Sequence, residues 1–310
     1  MLEFTMLVGL PGSGKSTLAQ QLLAASSTSN PTILLSTDEL RKELFHNVNE
    51  QCKNEELYRV LHQRLAEAIT HGQSVIYDAT NLQAKHRIPT LALIREACTK
   101  ASTPFPQCTC IIVATPPEIC IEQDKSRPSR HAGKKVINRM LRLWTTPSYG
   151  EGWNNIQLYY PSSTYPTYYG DYLAPMQLYQ DYNQNNPYHT RTLGEHLSEV
   201  ANTVALSSPA SSPLAIAASL HDIGKPRTKT TDPNGISHYY QHANVGGYLS
   251  LFYDYPADKL LVSTLVCYHM HPYNWNTRNQ QKMQAKYTQL LGEGIYNDLL
   301  LLHQADRNSH

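Results

Sequence analysis

The chain has 310 residues, of which 41% are hydrophobic and 16% charged, and a formal net charge of +1 at pH 7. That length accommodates two domains of ordinary size, each able to bury a core, and the composition excludes a disordered or fibrous chain. No apolar run approaches the roughly 18 to 20 residues of a membrane span, so no membrane association is expected.

Residues 1–8 are too short and too uncharged for a signal peptide and read as a first strand. The six cysteines include no C-x-x-C pair and no dense framework, which suits a reducing cytoplasm. Cys108 and Cys110 read as small buried hydrophobes.

In chain order, residues 4–8 form a short apolar strand running into a Gly-rich turn, and residues 17–25 continue as a helix. Residues 32–35, 74–77 and 108–114 are further apolar strand candidates. Residues 55–70 and 85–100 between them show helical spacing, with Ala, Leu, Glu and Lys enriched. The alternation predicts an α/β domain over residues 1–160, a parallel sheet flanked by helices. Residues 147–186 hold nine of the 21 Tyr and no Lys or Arg. Their aromatic surface predicts an ordered connector over 161–186, packed rather than disordered and with no need to stack on bases. Helical pattern then occupies 193–206, 214–221, 245–252, 258–268 and 295–303, predicting an all-α domain over 187–310.

The strongest local signal is Gly9-Leu10-Pro11-Gly12-Ser13-Gly14-Lys15-Ser16, which fits G-x-x-x-x-G-K-[ST] between a strand and a helix. Backbone N–H groups from Gly12, Ser13, Gly14, Lys15, Ser16 and Thr17 can converge on phosphate oxygens. Lys15 brings a point charge to the β- and γ-phosphates of ATP or another NTP, and the Ser16 hydroxyl completes a Mg²⁺ shell. Ser36 and Glu39 have capping-box spacing, and Asp38 and Arg41 lie three apart on the helix they open. There the carboxylate can orient or deprotonate an attacking hydroxyl while the guanidinium forks onto phosphate; a plain helix start with a surface ion pair would look the same. Asp78 closes the third strand, either facing the phosphates and Mg²⁺ or capping a turn. Between Lys125 and Arg142 lie seven Lys or Arg and no acid. Within that stretch Arg127 and Arg130 are candidate lid arginines for the transferred phosphoryl group, against the alternative of a solvated basic face.

In the second half the signal lies in a set of residue types. Nine of the 14 histidines lie beyond residue 186. His196 sits on one predicted helix, the adjacent His221 and Asp222 open a second, and Asp306 lies on the last. Helices bringing such groups together make a divalent-metal site with open positions. The ligand types suit Mn²⁺, Fe²⁺, Co²⁺ or Ni²⁺.

The first 160 residues resemble the P-loop polynucleotide 5′-kinases of the T-even phage type. The resemblance lies in Gly9 to Thr17, Thr37-Asp38-x-x-Arg41, Asp78-Ala-Thr-Asn81, the arginines before Val136-Ile-Asn-Arg-Met140, and Pro147-x-x-x-Glu151-Gly-Trp153. It implies Asp38 as general base, Arg41 on the acceptor phosphate, and Arg127 or Arg130 on the donor phosphates. The segment from Asn186 resembles the HD phosphohydrolase superfamily in Asn186-Pro-Tyr-His189, Glu195-His196, His221-Asp222-Ile-Gly-Lys225, His242-x-x-x-Gly246, Tyr268-His269-Met270 and Ala305-Asp306. That resemblance implies a first metal on His196, His221, Asp222 and Asp306. His242 and His269 would complete a second site or contact phosphate, and Lys225 would bind the scissile phosphate. His271 rivals His269, and His189 and His310 could line the pocket. The pairing is similar to end-healing enzymes that combine a 5′-hydroxyl kinase with a 2′,3′-phosphatase, here with the domain order reversed. Together these resemblances imply a bifunctional enzyme of nucleic-acid ends, RNA rather than DNA, serving a ligase. A kinase of small molecules or nucleotides fused to an HD nucleotidase or nucleotide-sensing module is the alternative.

Overall fold

Strand β1 (Glu3–Val8) carries a near-continuous apolar run, with Phe4, Met6, Leu7 and Val8 all fully buried, as a central parallel strand requires. It pairs with β3 (Ser74–Asp78) on one side and β4 (Gln107–Val113) on the other. Beyond them lie β2 (Thr32–Ser36) and β5 (Asn155–Tyr159), giving a parallel sheet in the order β2-β3-β1-β4-β5. Helices α1 (Lys15–Ala24), α2 (Thr37–Phe45), α3 (Asn54–Thr70), α4 (Ala84–Ala101), α5 (Pro117–Lys125) and α6 (Lys134–Leu141) provide the crossovers. The chain leaves β1 toward β2 and β3 and later fills the opposite side with β4 and β5. This reversal of direction opens a crevice at the carboxyl ends of the strands, the place where sheets of this kind take ligands.

These elements belong to a computed structural model that describes residues 2–26, 31–50, 52–127, 131–187, 189–275 and 278–309. The chain divides into two units, Met1–Asn138 with Pro147–Pro161, and Arg139–Thr146 with Ser162–His310.

Strand β5 has no counterpart in the sequence reading. Only Ile156 is buried along it while Asn155 and Gln157 are exposed, so it has no apolar run to betray it. Its register with β4, from Thr109 opposite Asn155 to Val113 opposite Tyr159, defines it instead. Close to β5 lies a buried ion pair. Arg87 on α4 donates through Nε and Nη2 to Glu151 at 2.8 and 2.6 Å and through Nη1 to the Asn81 carbonyl at 3.0 Å, with both charged side chains 0% exposed. Trp153 Nε1 adds a fourth bond, to Glu151 Oε2 at 3.0 Å. Removing one partner of such a pair leaves a buried charge uncompensated. Glu151→Ala is therefore expected to destabilise this unit by about 3–5 kcal/mol, and Arg87→Met with Glu151→Leu to recover most of the loss. Denaturant unfolding of both variants checks this.

The second unit is built from α7 (Ala174–Leu178), α8 (Leu193–Ala205), α9 (Pro213–Leu220), α10 (Lys225–Thr228), α11 (His242–Leu249), α12 (Lys259–Tyr268), α13 (Gln280–Leu291) and α14 (Glu293–Asn308). A two-residue hairpin, β6 (Thr230–Thr231) with β7 (Ser237–His238), is its only sheet among the described residues. Helix α9 is apolar all round and buried from Leu214 to Leu220, so it forms the central post. Thr192 and Glu195 form a reciprocal capping box that starts α8, and Ser212 and Asp258 cap α9 and α12. Gly224 lets the turn after α9 approach α11, since a Cβ there would sit 2.1 Å from the His242 carbonyl oxygen. Residues 139–146 contribute to this core. Trp144 is fully buried with its ring edge-on to Tyr248 at 5.0 Å, and Asn244 Nδ2 donates to its carbonyl at 2.6 Å. The Tyr-rich stretch packs here too, with Tyr169 against Phe252 and Tyr253, and Tyr172 against Tyr255. Among the described residues no helix is long and apolar enough to cross a membrane.

Candidate functional site

In the first unit the Gly-rich loop joins the carboxyl end of β1 to the amino end of α1. Gly12 and Gly14 have φ of 82° and 92°, and a Cβ on Gly12 would lie 2.2 Å from the Cys120 carbonyl oxygen, so the loop can close only on glycine. Lys15, 7% exposed, turns back over the loop and donates to the carbonyls of Gly9 (3.0 Å) and Leu10 (2.7 Å). Thr115 Oγ1 ties the loop to the end of β4 by donating to the Ser13 carbonyl at 2.9 Å. Ser16 Oγ donates to Asp78 Oδ2 at 2.8 Å, so the hydroxyl that follows the lysine and the acid that ends β3 meet. A hydroxyl beside a carboxylate at a helix N-terminus fits Mg²⁺, which takes few protein oxygens and keeps water and phosphate as its other ligands. Ser16 and Asp78 are the residues that would hold it.

Ser36 caps α2, accepting from the Glu39 amide at 3.5 Å. From the first turn of that helix Asp38 reaches Arg41 Nη1 at 3.2 Å, and Asn54 Oδ1 accepts from Arg41 Nη2 at 2.8 Å. The Arg41 side chain is 7% exposed and that of Asp38 39%, so the pair presents its carboxylate outward and its guanidinium inward. Burial lowers the Arg41 pKa, against an opposing influence from Tyr58. The Arg41 Nε is buried without a hydrogen-bond partner. Arg127 follows α5 and is partly buried, whereas Arg130 lies outside the described residues. A residue the sequence reading missed holds Ala132 and Gly133 to α5. Asp124, 1% exposed, accepts from the Ala132 and Gly133 amides at 3.0 and 2.8 Å.

In the second unit six residues predicted from sequence converge. His196 comes from α8, His242 from the start of α11, Asp306 from α14, and His269 from the residue capping α12. His221 and Asp222 differ in placement from the reading, for they close α9 rather than opening a helix. Two groups of ligand-type atoms result: His196, His221 and Asp306, and Asp222, His242 and His269. Asp222 joins them. Its Oδ1 lies 3.0 Å from His242 Nε2 and 3.7 Å from His269 Nε2, while its Oδ2 lies 3.3 Å from both His196 Nε2 and His221 Nε2. Asp306 Oδ1 faces His196 Nε2 at 3.1 Å and His221 Nε2 at 3.6 Å.

Each of the four imidazoles places Nδ1 against a backbone carbonyl: Ser309 at 3.3 Å for His196, Ala218 at 2.8 Å for His221, Tyr239 at 2.8 Å for His242 and Val266 at 2.7 Å for His269. A carbonyl only accepts, so Nδ1 carries the proton and Nε2 is turned toward the cluster. That is the outer-shell arrangement of metal-ligating histidine. Four inward Nε2 atoms and two carboxylates, one of them shared, fit two divalent ions. Burial pulls the His221 pKa down, but Asp222 and Asp306 outweigh it and hold it up at about 10. Burial, with His221 and His242 nearby, drives His269 down to about 3. Burial would raise Asp222, yet Lys225 and the histidines hold it well below the usual carboxylate range. A cation arriving at His221 therefore displaces a proton, and uptake is expected to release protons to buffer.

Around this cluster stand Tyr273 and Gln184, which no motif announces, together with Lys225 and His189, which the sequence reading named. Tyr273, in the turn after α12, donates to Asp306 Oδ2 at 3.0 Å and leaves Oδ1 facing the histidines. Lys225 Nζ lies 2.6 Å from Asp222 Oδ2 and donates to Gln184 Oε1 at 2.7 Å and to His189 Nε2 at 3.3 Å. His271 instead stacks edge-on to Tyr287 at 5.2 Å, with its Nδ1 against the Tyr287 hydroxyl, and His310 lies outside the described residues.

Residues 4–147 match the family model of the AAA domain, and residues 188–309 that of the HD domain. The chain is thus a P-loop domain of the kinase-like kind followed by an HD domain. No curated protein matches it. Among solved structures it is similar to a chain of the Pnkp1/Rnl/Hen1 RNA repair complex, at 19% identity and TM-score 0.36 over 45% of this chain and 42% of that one. It is also similar to the APS kinase CysC of Mycobacterium tuberculosis in complex with AMPPNP and APS, at 24% identity and TM-score 0.31 over 40% of this chain and 69% of that one. A gluconokinase from Sinorhizobium meliloti aligns at 13% identity and TM-score 0.34 over 52% of this chain and 83% of that one. The chain spans 42% and 38% of the length of the two RNA repair structures it matches.

Proposed function

We propose that the chain is a bifunctional enzyme that heals nucleic-acid ends, RNA ends foremost. Its P-loop unit phosphorylates a 5′-hydroxyl at the expense of ATP, and its HD unit removes a 3′-phosphate or opens a 2′,3′-cyclic phosphate. The observation that carries the reading is the pairing, in one chain, of a Gly-rich loop and an Asp38 and Arg41 acceptor pair at the same carboxyl edge of the sheet with a double His/Asp cluster bridged by Asp222. One arrangement suits adding phosphate and the other removing it. A break that leaves a 5′-hydroxyl and a 3′-phosphate needs both before a ligase can act.

In the kinase step the Asp38 carboxylate takes the proton of the acceptor hydroxyl, whose oxygen attacks the γ-phosphorus in line as ADP leaves. Lys15 leaves its loop carbonyls for the β- and γ-oxygens, and Arg41 holds the acceptor's own phosphate. Arg127 or Arg130 meets the donor phosphates, where positive charge stabilises the transferring group. Mg²⁺ held by Ser16 and Asp78 would neutralise charge between the β- and γ-phosphates.

In the hydrolytic unit a bound divalent pair would supply Lewis acidity and a water of lowered pKa. Asp222 and Asp306 hold negative charge there, the Nδ1 bonds aim the imidazoles, and Lys225 takes a phosphate oxygen.

Incubation with γ-labelled ATP, Mg²⁺ and a short single-stranded RNA bearing a 5′-hydroxyl tests the kinase half. Labelled RNA is the expected result. ATP bound tightly with no label on RNA or DNA would move the acceptor to a small molecule or nucleotide. Release of phosphate from an RNA 3′-phosphate with Mn²⁺, Co²⁺ or Ni²⁺ tests the other half.

A further inference from the structure

We infer that Gln184 is a positioning residue for Lys225: a neutral tether, supplied by the Tyr-rich stretch, that sets where the ammonium meets substrate phosphate. The inference rests on the phosphohydrolase reading of the HD unit. Gln184 lies before residue 188, where the match to the HD domain begins, so this part of the site comes from outside the matched segment. It is 1% exposed, and both ends of its amide are engaged. Oε1 accepts from Lys225 Nζ at 2.7 Å, and Nε2 donates to the Arg191 carbonyl at 3.2 Å. Its backbone is fixed as well. The Tyr239 hydroxyl donates to the Gln184 carbonyl, and the neighbouring Asn185 and Asn186 bond to Ser237 on β7.

An ammonium has three protons to give and no acceptor. Lys225, 3% exposed, gives them to Asp222, Gln184 and His189. These partners differ in what they can surrender. Asp222 Oδ2 is shared with two histidines and carries the charge that compensates Lys225. His189 is partly exposed and the most distant of the three, at 3.3 Å, so it is the partner a phosphate oxygen replaces. Gln184 holds the third proton throughout and does so without charge. A carboxylate in its place would neutralise Lys225 a second time and repel phosphate, and an apolar side chain would leave a buried N–H unmet.

The test is a double-mutant cycle on the full chain loaded with Mn²⁺, with p-nitrophenyl phosphate as substrate and inorganic phosphate as a binding probe by calorimetry. Gln184→Leu is expected to raise KM and weaken phosphate binding by about tenfold, the scale of a hydrogen bond to a charged group, while kcat changes far less. In a Lys225→Met background the same substitution is expected to change neither quantity further, because the tether then has nothing to hold. An unchanged KM, or an equal rise in both backgrounds, overturns the inference. Should Gln184→Leu fail to fold, Gln184→Glu keeps the size and the contact with Lys225, and wild-type phosphate binding by that variant overturns it equally. A wild-type chain that neither hydrolyses phosphoesters nor binds phosphate instead removes the phosphohydrolase reading, and the inference with it.

Discussion

Lys15→Ala is expected to abolish phosphate transfer from ATP while hydrolysis at the HD unit continues. The lysine is the one charged side chain of the loop, and its ammonium sits 3.0 and 2.7 Å from the carbonyls of Gly9 and Leu10, folded over the space the loop encloses. Exchange of those two neutral acceptors for β- and γ-phosphate oxygens brings a full positive charge to the place where negative charge moves during transfer. Removal of a single preorganised group of this kind costs on the order of 10²–10³ in rate, so residual labelling should fall to the background of the assay. The glycines keep the loop closed without the side chain, and the variant should remain folded. Single-turnover labelling and phosphoester hydrolysis on the same preparation check both halves. Equal loss of the two activities would contradict a division of labour between the units.

Asp222→Ala should do the reverse and at greater structural cost. Each of its oxygens serves a different group of histidines, and Oδ2 also holds Lys225 at 2.6 Å. Loss of a mere outer partner of a metal site costs about 10- to 100-fold in affinity or activity; loss of the bridging carboxylate should exceed that and remove hydrolysis. The variant also leaves Lys225, 3% exposed, without its counter-charge, a change that costs about 3–5 kcal/mol when a buried pair is broken. Metal titration followed by thermal unfolding separates these effects. A stable variant that still binds two ions would remove Asp222 from its bridging role. The pH dependence has a definite sign. In the ion-free chain the depressed pKa of Asp222 contributes stability above about pH 4, the unfolded carboxylate value, and that contribution is lost as pH falls through the folded value.

Much of this was legible because the informative positions obey local rules. A strand, a Gly-rich turn and a helix place Lys15 and Ser16 within one short stretch of the chain. The ligand-type residues from His196 to Asp306 stand at or near helix ends whose apolar patterns are plain. What escaped depends on partners that no motif or periodicity marks. Strand β5 buries one residue and exists through its pairing with β4. Gln184 and Tyr273 are ordinary residue types in stretches without periodicity, and only the folded chain brings one to Lys225 and the other to Asp306. Trp144 follows a basic helix and reads as part of the first domain, yet its side chain is buried in the second. Asp124 carries no motif, and its role rests on two amides that follow it in the chain.

Three of the four inward histidines give their Nδ1 proton to the carbonyl three residues earlier in the chain: His221 to Ala218, His242 to Tyr239 and His269 to Val266. Each ring is thereby aimed by its own turn of backbone. Side-chain freedom is surrendered when the helices form, before any cation arrives. The ordering cost of an imidazole, on the order of 1 kcal/mol each, is then charged to folding and not to metal capture. Affinity at this centre should accordingly respond to pH and to the choice of ion, and hardly at all to temperature-driven loosening of the ligands, as in a socket machined before the plug is made.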